Sequence, residues 1–270
     1  MTNTTLSGIA IRKRAWSFDR WWLTVLAVVL LILYLIFRKP YPYRDLFLFL
    51  QDGLIVTIIL TAVSFSIVLV LGLFVALGRL SDSKIVQTLC RGYVEIIRGI
   101  PILVQILYWY FAMPAIVREI GTSMGNAALA DFRPNAMVVA ILALSVGYTA
   151  YVSEIYRAGI QSIPQGQMEA ARSLGMTKGQ AMRYIIIPQA VKVILPPVGN
   201  ELMTLLKDTS LVSMVAVADL TRRGREFMAS NANPIETWNM VALLYLVMTL
   251  ILTRGISYLE NKAQMEKDND

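Results

Sequence analysis

An all-α integral membrane protein is the fold class this sequence predicts, and three observations carry the prediction. Of its 270 residues, 56% are hydrophobic and only 16% are charged, whereas a soluble domain is about a quarter charged. The mean hydropathy is +0.58. The apolar residues also gather into long uncharged runs of the length a bilayer core demands, about 20 residues for ~30 Å of hydrocarbon.

Trp21 to Phe37 is a run of 17 residues without a charge, flanked by Arg20 and by Arg38-Lys39. No small-residue cleavage site follows it, so it reads as a span and not as a signal peptide. Leu54 to Leu77 is a second run, of 24 residues. Ile100 to Met113 is apolar and aromatic, and reaches spanning length with the turns from Tyr93. Ala136 to Tyr151 continues as helix to about Tyr156. Gln189 to Leu206 is interrupted only by Lys192 and Glu201, and carries Pro196-Pro197, expected to open the helix. Trp238 to Thr253 ends at Arg254. These are six spans. The stretch Leu211 to Ala218 is too short to cross and is expected to be re-entrant or superficial. The segments Val117 to Phe132 and Asp208 to Asn233 are expected as outer helices or loops, the second with a basic cluster at Arg222, Arg223 and Arg225.

The charges orient the spans. Of 25 Lys and Arg, 14 fall in the segments on the side of Met1 and eight on the other side. By the positive-inside rule both termini are cytoplasmic. The net charge of +7 is thus divided across a membrane, which removes the nucleic-acid reading. Histidine is absent and Cys90 stands alone, so His-based catalysis, His metal sites and internal disulfides are excluded. No catalytic or metal-binding set is predicted, and no Gly-Lys pair exists to build a phosphate-binding loop.

The cytoplasmic loop of residues 157–188 reads as two short helices. Pro164 suits a first helical turn, Gly175 ends the first helix in a left-handed conformation, and Thr177 with Gln180 has capping-box spacing for the second. Pro188 is expected to limit that second helix. Ala170 and Ala171 leave a shallow surface for a partner.

Here the sequence resembles a known family. Glu169-Ala170-Ala171, then Gly175, then Ile185, Ile187 and Pro188 reproduce the EAA motif of ABC importer permeases: EAA, three residues, G, nine residues, I-x-L-P. The one departure is Ile187, where Leu is usual. Tyr93-Val94-Glu95, Arg98-Gly99-Ile100-Pro101, Glu154-Ile155-Tyr156-Arg157-Ala158-Gly159-Ile160 and Lys207-Asp208-Thr209-Ser210-Leu211 are similar to the polar amino acid branch. The resemblance implies a five-helix type I core with a cytoplasmic EAA coupling helix, to which the first span is an addition. Residues 1–50 then hold the cytoplasmic N-terminus, the extra helix and an outer loop. Residues 51–260 form the transmembrane domain and 261–270 a cytoplasmic tail. It also implies a multi-pass protein of the bacterial inner membrane with no cofactor of its own. ATP and Mg would sit on a partner ATPase dimer gripping Glu169, Ala170, Ala171 and Gly175. A second permease subunit, identical or homologous, and an extracytoplasmic amino-acid-binding protein would complete the complex.

Ionisable groups at membrane depth mark function. Glu201 lies roughly 18 Å above the inner end of its span at 1.5 Å per residue. It is expected to contact either the ammonium or guanidinium of a solute or a neighbouring helix. Gln105, Tyr148 and Thr204 are expected to line the same path. Glu95 with Arg98 and Glu154 with Arg157, each at i, i+3, are expected to pair at helix ends. Lys207 and Asp208 end the fifth span as gate or terminus. The functional expectation is uptake of a polar L-amino acid, with a lean to basic ones from the anionic Glu201. An ion-coupled secondary transporter is the alternative, and a membrane-embedded enzyme finds no residues to support it.

Overall fold

The computed structural model describes residues 20–265. The expected N-terminal segment with Arg12, Lys13 and Arg14, and the last residues of the expected tail with Lys267, lie outside the described residues. Among the described residues every regular element is helical. In order these are α1 (Arg20–Arg38), α2 (Pro40–Arg79), α3 (Lys84–Gly99), α4 (Ile102–Leu107), α5 (Met113–Ser123) and α6 (Ala127–Ala130). Then follow α7 (Ala136–Gln161), α8 (Gln165–Ser173), α9 (Lys178–Ala181), α10 (Ile187–Asp208), α11 (Leu220–Asn231) and α12 (Pro234–Met265). One π-helical turn (Tyr108–Ala112) joins α4 to α5 and another (Met182–Ile186) joins α9 to α10.

Five helical stretches are long and apolar enough to cross a membrane: α1, α2, α7, the α9–α10 helix with its extension to Met214, and α12. The third expected span is not a straight helix. It divides at Pro101 into α3 and α4–α5, which meet at 102° and count as a sixth span only as a bent pair. Pro101 has no N–H to continue the ladder and pushes Ile100 into extended backbone (φ −110°, ψ 130°).

Helix α2 is longer than expected. Its regular backbone begins at Pro42, after the non-helical Tyr41 (φ −96°, ψ 129°), so the last part of the outer loop expected up to residue 50 is helix. Its buried positions Leu46, Leu50, Gly53, Thr57, Leu60, Ser64, Val68, Gly72 and Ala76 recur every three or four residues, one continuous stripe at helical period. The stripe packs on two clusters. One joins Leu60, Val68, Ile106, Leu144, Val152 and Leu205 at the centre. The other joins Leu46 and Leu50 to Phe227, Met240 and Leu244, and against it α1 packs through Val28, Leu35 and Ile36.

Two further expectations change, and a third is narrowed. Pro196 and Pro197 do not open α10, which runs through both. Gly199 packs here against the Ile256 side chain of α12, and neighbouring packing supports the helix where the two Pro withhold hydrogen bonds. Pro188 does not limit the second loop helix. It sits in the first turn of α10, after the π turn, where its missing N–H costs little. Of the two alternatives for the stretch from Leu211, the superficial one does not hold: a 3-10 turn (Thr209–Met214) leads Val212, Val215 and Val217 into the central cluster.

Candidate functional site

Helices α7 and α10 lie side by side, and α3 ends beside them. On α7, Tyr148 and Tyr151 are three residues apart and share a face. On α10, Glu201 and Asp208 are seven apart, about two turns, and share a face as well. The Tyr148 hydroxyl donates to Asp208 Oδ2 at 2.7 Å. The rings of Tyr148 and Tyr151 are 6.1 Å apart. The guanidinium of Arg98, at the end of α3, stands 5.2 Å from the centroid of the Tyr151 ring, within cation–π range. Arg98 and Asp208 are the charged groups whose fields reach Glu201. Glu201 itself is half-buried, and among the described residues no cation lies within ion-pair distance of it, Lys192 and Lys207 included. One guanidinium, two carboxylates and two phenols therefore meet where three helices join. Chemically the group suits a zwitterion: carboxylates for an ammonium, a guanidinium for a carboxylate.

The sequence-expected residues divide around this cluster. Tyr148, Glu201 and Asp208 belong to it. Thr204 is exposed and its hydroxyl donates to its own helix at the Asn200 carbonyl, 3.0 Å away. Lys207 is exposed. Gln105 is buried and stands elsewhere: its Nε2 donates to the Ile97 and Ile100 carbonyls, both at 2.8 Å, and so bridges the bend at Pro101. The expected Glu95–Arg98 pair does not form. Both are exposed, and Arg98 turns to the Tyr151 ring instead. Arg98 and Tyr151 are the members of the cluster that sequence reasoning did not place with Tyr148 and Glu201. For Tyr151 the readable signal was its i, i+3 spacing from Tyr148.

About one turn beyond Tyr151 on α7, Glu154 accepts from Arg157 Nε at 3.2 Å, as the spacing predicted. It also receives Arg79, from the last turn of α2, which the sequence did not suggest. The loop beyond folds as two short helices. Gly175 takes a left-handed φ of +84°, and Thr177 and Gln180 form a complete capping box. Glu169, Ala170 and Gly175 are exposed, but Ala171 is buried in its own chain. The free surface is Ala170 with Leu174, whose side chain is 82% exposed. Lys178 and Asp82 lie 3.7 Å apart, linking the loop to the α2–α3 corner.

Between α10 and α12 the chain forms α11, capped by the fully buried Asp219. Its carboxylate accepts from the backbone N–H groups of Thr221 and Arg222, both at 3.0 Å. Burial pushes its pKa up to about 6, against the lowering pull of those two bonds. The basic cluster on α11 is largely committed within the chain. Arg222 and Arg223 each bond Glu226 at 2.9 Å, Arg223 also reaches Asp52 on α2, and Arg225 donates to the Ser213 carbonyl at 2.6 Å. Burial opposes the ionised form of Glu226, but the two guanidinium bonds prevail and lower its pKa.

Comparison with known proteins agrees over most of the chain. The family described as the binding-protein-dependent transport system inner membrane component matches residues 68–264. The probable glutamine ABC transporter permease protein GlnM of Bacillus subtilis is 37% identical over 220 residues, covering 82% of this chain and 95% of that one. The glutamine transport system permease protein GlnP of Escherichia coli K12 is 35% identical, over 73% of this chain and 84% of its own. A crystal structure of an amino acid ABC transporter with histidines superimposes with a TM-score of 0.70 at 37% identity, over 86% of this chain and 98% of that one. An inward-facing MetNI methionine ABC transporter, at 21% identity and a TM-score of 0.59, shares the fold. With several membrane-spanning helices and this match over most of its length, the chain belongs to the inner membrane component family of binding-protein-dependent transport systems.

Proposed function

We propose that this chain is the permease subunit of an ATP-driven importer of polar L-amino acids. The observation that carries the reading is the cluster of Arg98, Tyr148, Tyr151, Glu201 and Asp208, whose charges complement an amino acid backbone. Two carboxylates against one guanidinium leave room for a second positive group, so a basic side chain fits best. The glutamine permeases among its relatives support an amino acid as the class of solute.

In this reading α2, the bent α3–α5 unit, α7, α10 and α12 form the five-span core of a type I importer, and α1 is an addition at its flank. Both termini face the cytoplasm, and α8 docks in a cleft of the ATPase through Glu169, Ala170 and Leu174. ATP and Mg bind on that ATPase. A second permease, identical or homologous, closes the pathway, and an external binding protein delivers the solute. Coupling needs an element with two positions biased from both ends. The coupling loop biases α7 and α10 from below, and solute at Glu201 biases them from above.

The test is ATP hydrolysis by the reconstituted complex of permease, ATPase and binding protein. Stimulation by loaded binding protein and one polar amino acid is expected. A purified chain that takes up solute alone, on an ion gradient, contradicts the proposal.

A further inference from the structure

The helix α7 leads into the cytoplasmic loop, but α2 does not; four helices separate the two in the chain. They are nonetheless packed together: Leu60 and Val68 share the central cluster with Leu144 and Val152, and the Ser145 hydroxyl donates to the Ser64 carbonyl at 3.4 Å. At Gly72 the backbones approach so closely that a Cβ would stand 3.1 Å from Val152 Cγ1. Two turns further along α2, Arg79 enters an ion cluster with Glu154, which also takes both Nε and Nη2 of Arg157. Arg157 reaches on to Gln161, the last residue of α7. The side chains of Arg79 and Glu154 are only 13% and 27% exposed, so the pair is shielded well beyond a surface salt bridge. The Arg79 carbonyl accepts from Gln87 at 3.3 Å, which draws the start of α3 into the same corner. The chain Arg79–Glu154–Arg157–Gln161 therefore ends three residues before α8.

We propose that Glu154 is a positioning residue for energy coupling. Its shared carboxylate locks the last turn of α2 to the end of α7, beyond the apolar packing at Gly72 and Val152, so that a displacement of α8 is passed to the end of α2 as well as to α7. Without it, α8 moves the end of α7 while the last turn of α2 lags, and hydrolysis proceeds with less solute moved. The inference rests on the importer reading above.

The experiment uses the reconstituted complex and reads solute imported per ATP hydrolysed. Arg79→Gln leaves the Glu154–Arg157 pair within α7 intact and severs only α2. It is expected to lower the ratio at least about three-fold, within the range by which coupling networks respond to mutation. Glu154→Gln is expected to lower it at least as far. Arg79 meets Glu154 through a single nitrogen, so Arg79→Lys is expected to restore the ratio. A purely structural role would lower assembly and total activity but leave the ratio unchanged. A wild-type ratio in Arg79→Gln, or the same fall in Arg79→Lys, overturns the proposal. If Glu154→Gln does not assemble, the two Arg79 variants decide. A wild-type complex with no ATP-driven uptake defeats the importer reading instead.

Discussion

Tyr148 and Asp208, 60 residues apart in sequence, meet in a 2.7 Å hydrogen bond that ties the middle of α7 to the last turn of α10. A residue expected to line the path thus holds a residue expected at the gate. A bond to a charged group contributes about 1.5–3 kcal/mol. Tyr148→Phe keeps the ring and removes only the donor. We expect it to lower kcat/KM for uptake by about ten-fold or more, with assembly unchanged. Wild-type uptake in this variant would show that the bond is idle.

Gln105 bridges the bend at Pro101, with two carbonyls on its amide nitrogen. Gln105→Leu fits the volume but removes the donor to both carbonyls, and only the Ile97 carbonyl keeps a second one, the Ile100 N–H at 3.4 Å. A loss of about 0.5–1.5 kcal/mol is expected for each hydrogen bond removed. Thermal unfolding in detergent checks it: the midpoint should fall, and an unchanged midpoint would mean that Pro101 alone sets the bend.

Asp219 sets a pH dependence. Its folded pKa of about 6 lies above the ordinary 3.8, so between those values the folded chain holds the proton that the unfolded chain releases. This contribution is complete below pH ~4 and is lost as pH rises through ~6. A shift of about two units corresponds to roughly 3 kcal/mol. Asp219→Asn keeps a cap acceptor and cannot titrate. Relative to that variant, the wild type should lose stability from pH 4 to 6.5. A relative gain over that range would reverse the assigned sign.

Gly175 holds the corner between α8 and α9 at φ +84°. A side chain there costs about 1–2 kcal/mol. Gly175→Ala should weaken association with the ATPase, while Gly179→Ala, in open space on α9, should not. Co-purification of the two variants with the ATPase separates them; equal retention would remove the corner from the docking surface.

Long uncharged runs announce themselves, so α1, α2, α7 and α12 were legible where no charge interrupts them. The start of α2 was hidden because Arg44 and Asp45 look like loop residues, although Leu46 and Leu50 already carry the buried stripe. The bend at Pro101 was readable in principle, since a residue before Pro avoids helical backbone, but the apolar run from Ile100 needed the turns from Tyr93 to reach spanning length, and so the two sides of Pro101 read as one span. Pro196-Pro197 misled in the opposite direction: the rule for Pro is local, and packing at Gly199 overrode it. Local spacing found Glu154–Arg157, Gly175 and the Thr177 capping box. It could not find Arg79 on Glu154 or Arg98 on Tyr151, because these meet only through helix packing.

The central claim is that solute is recognised at Glu201 and carried at the expense of ATP on a partner. The most direct test is uptake of labelled polar amino acids into proteoliposomes holding the full complex, comparing wild type with Glu201→Gln. The account predicts ATP-dependent uptake by the wild type, and loss of that uptake in a variant that still assembles with the ATPase. Undiminished uptake by Glu201→Gln would contradict it.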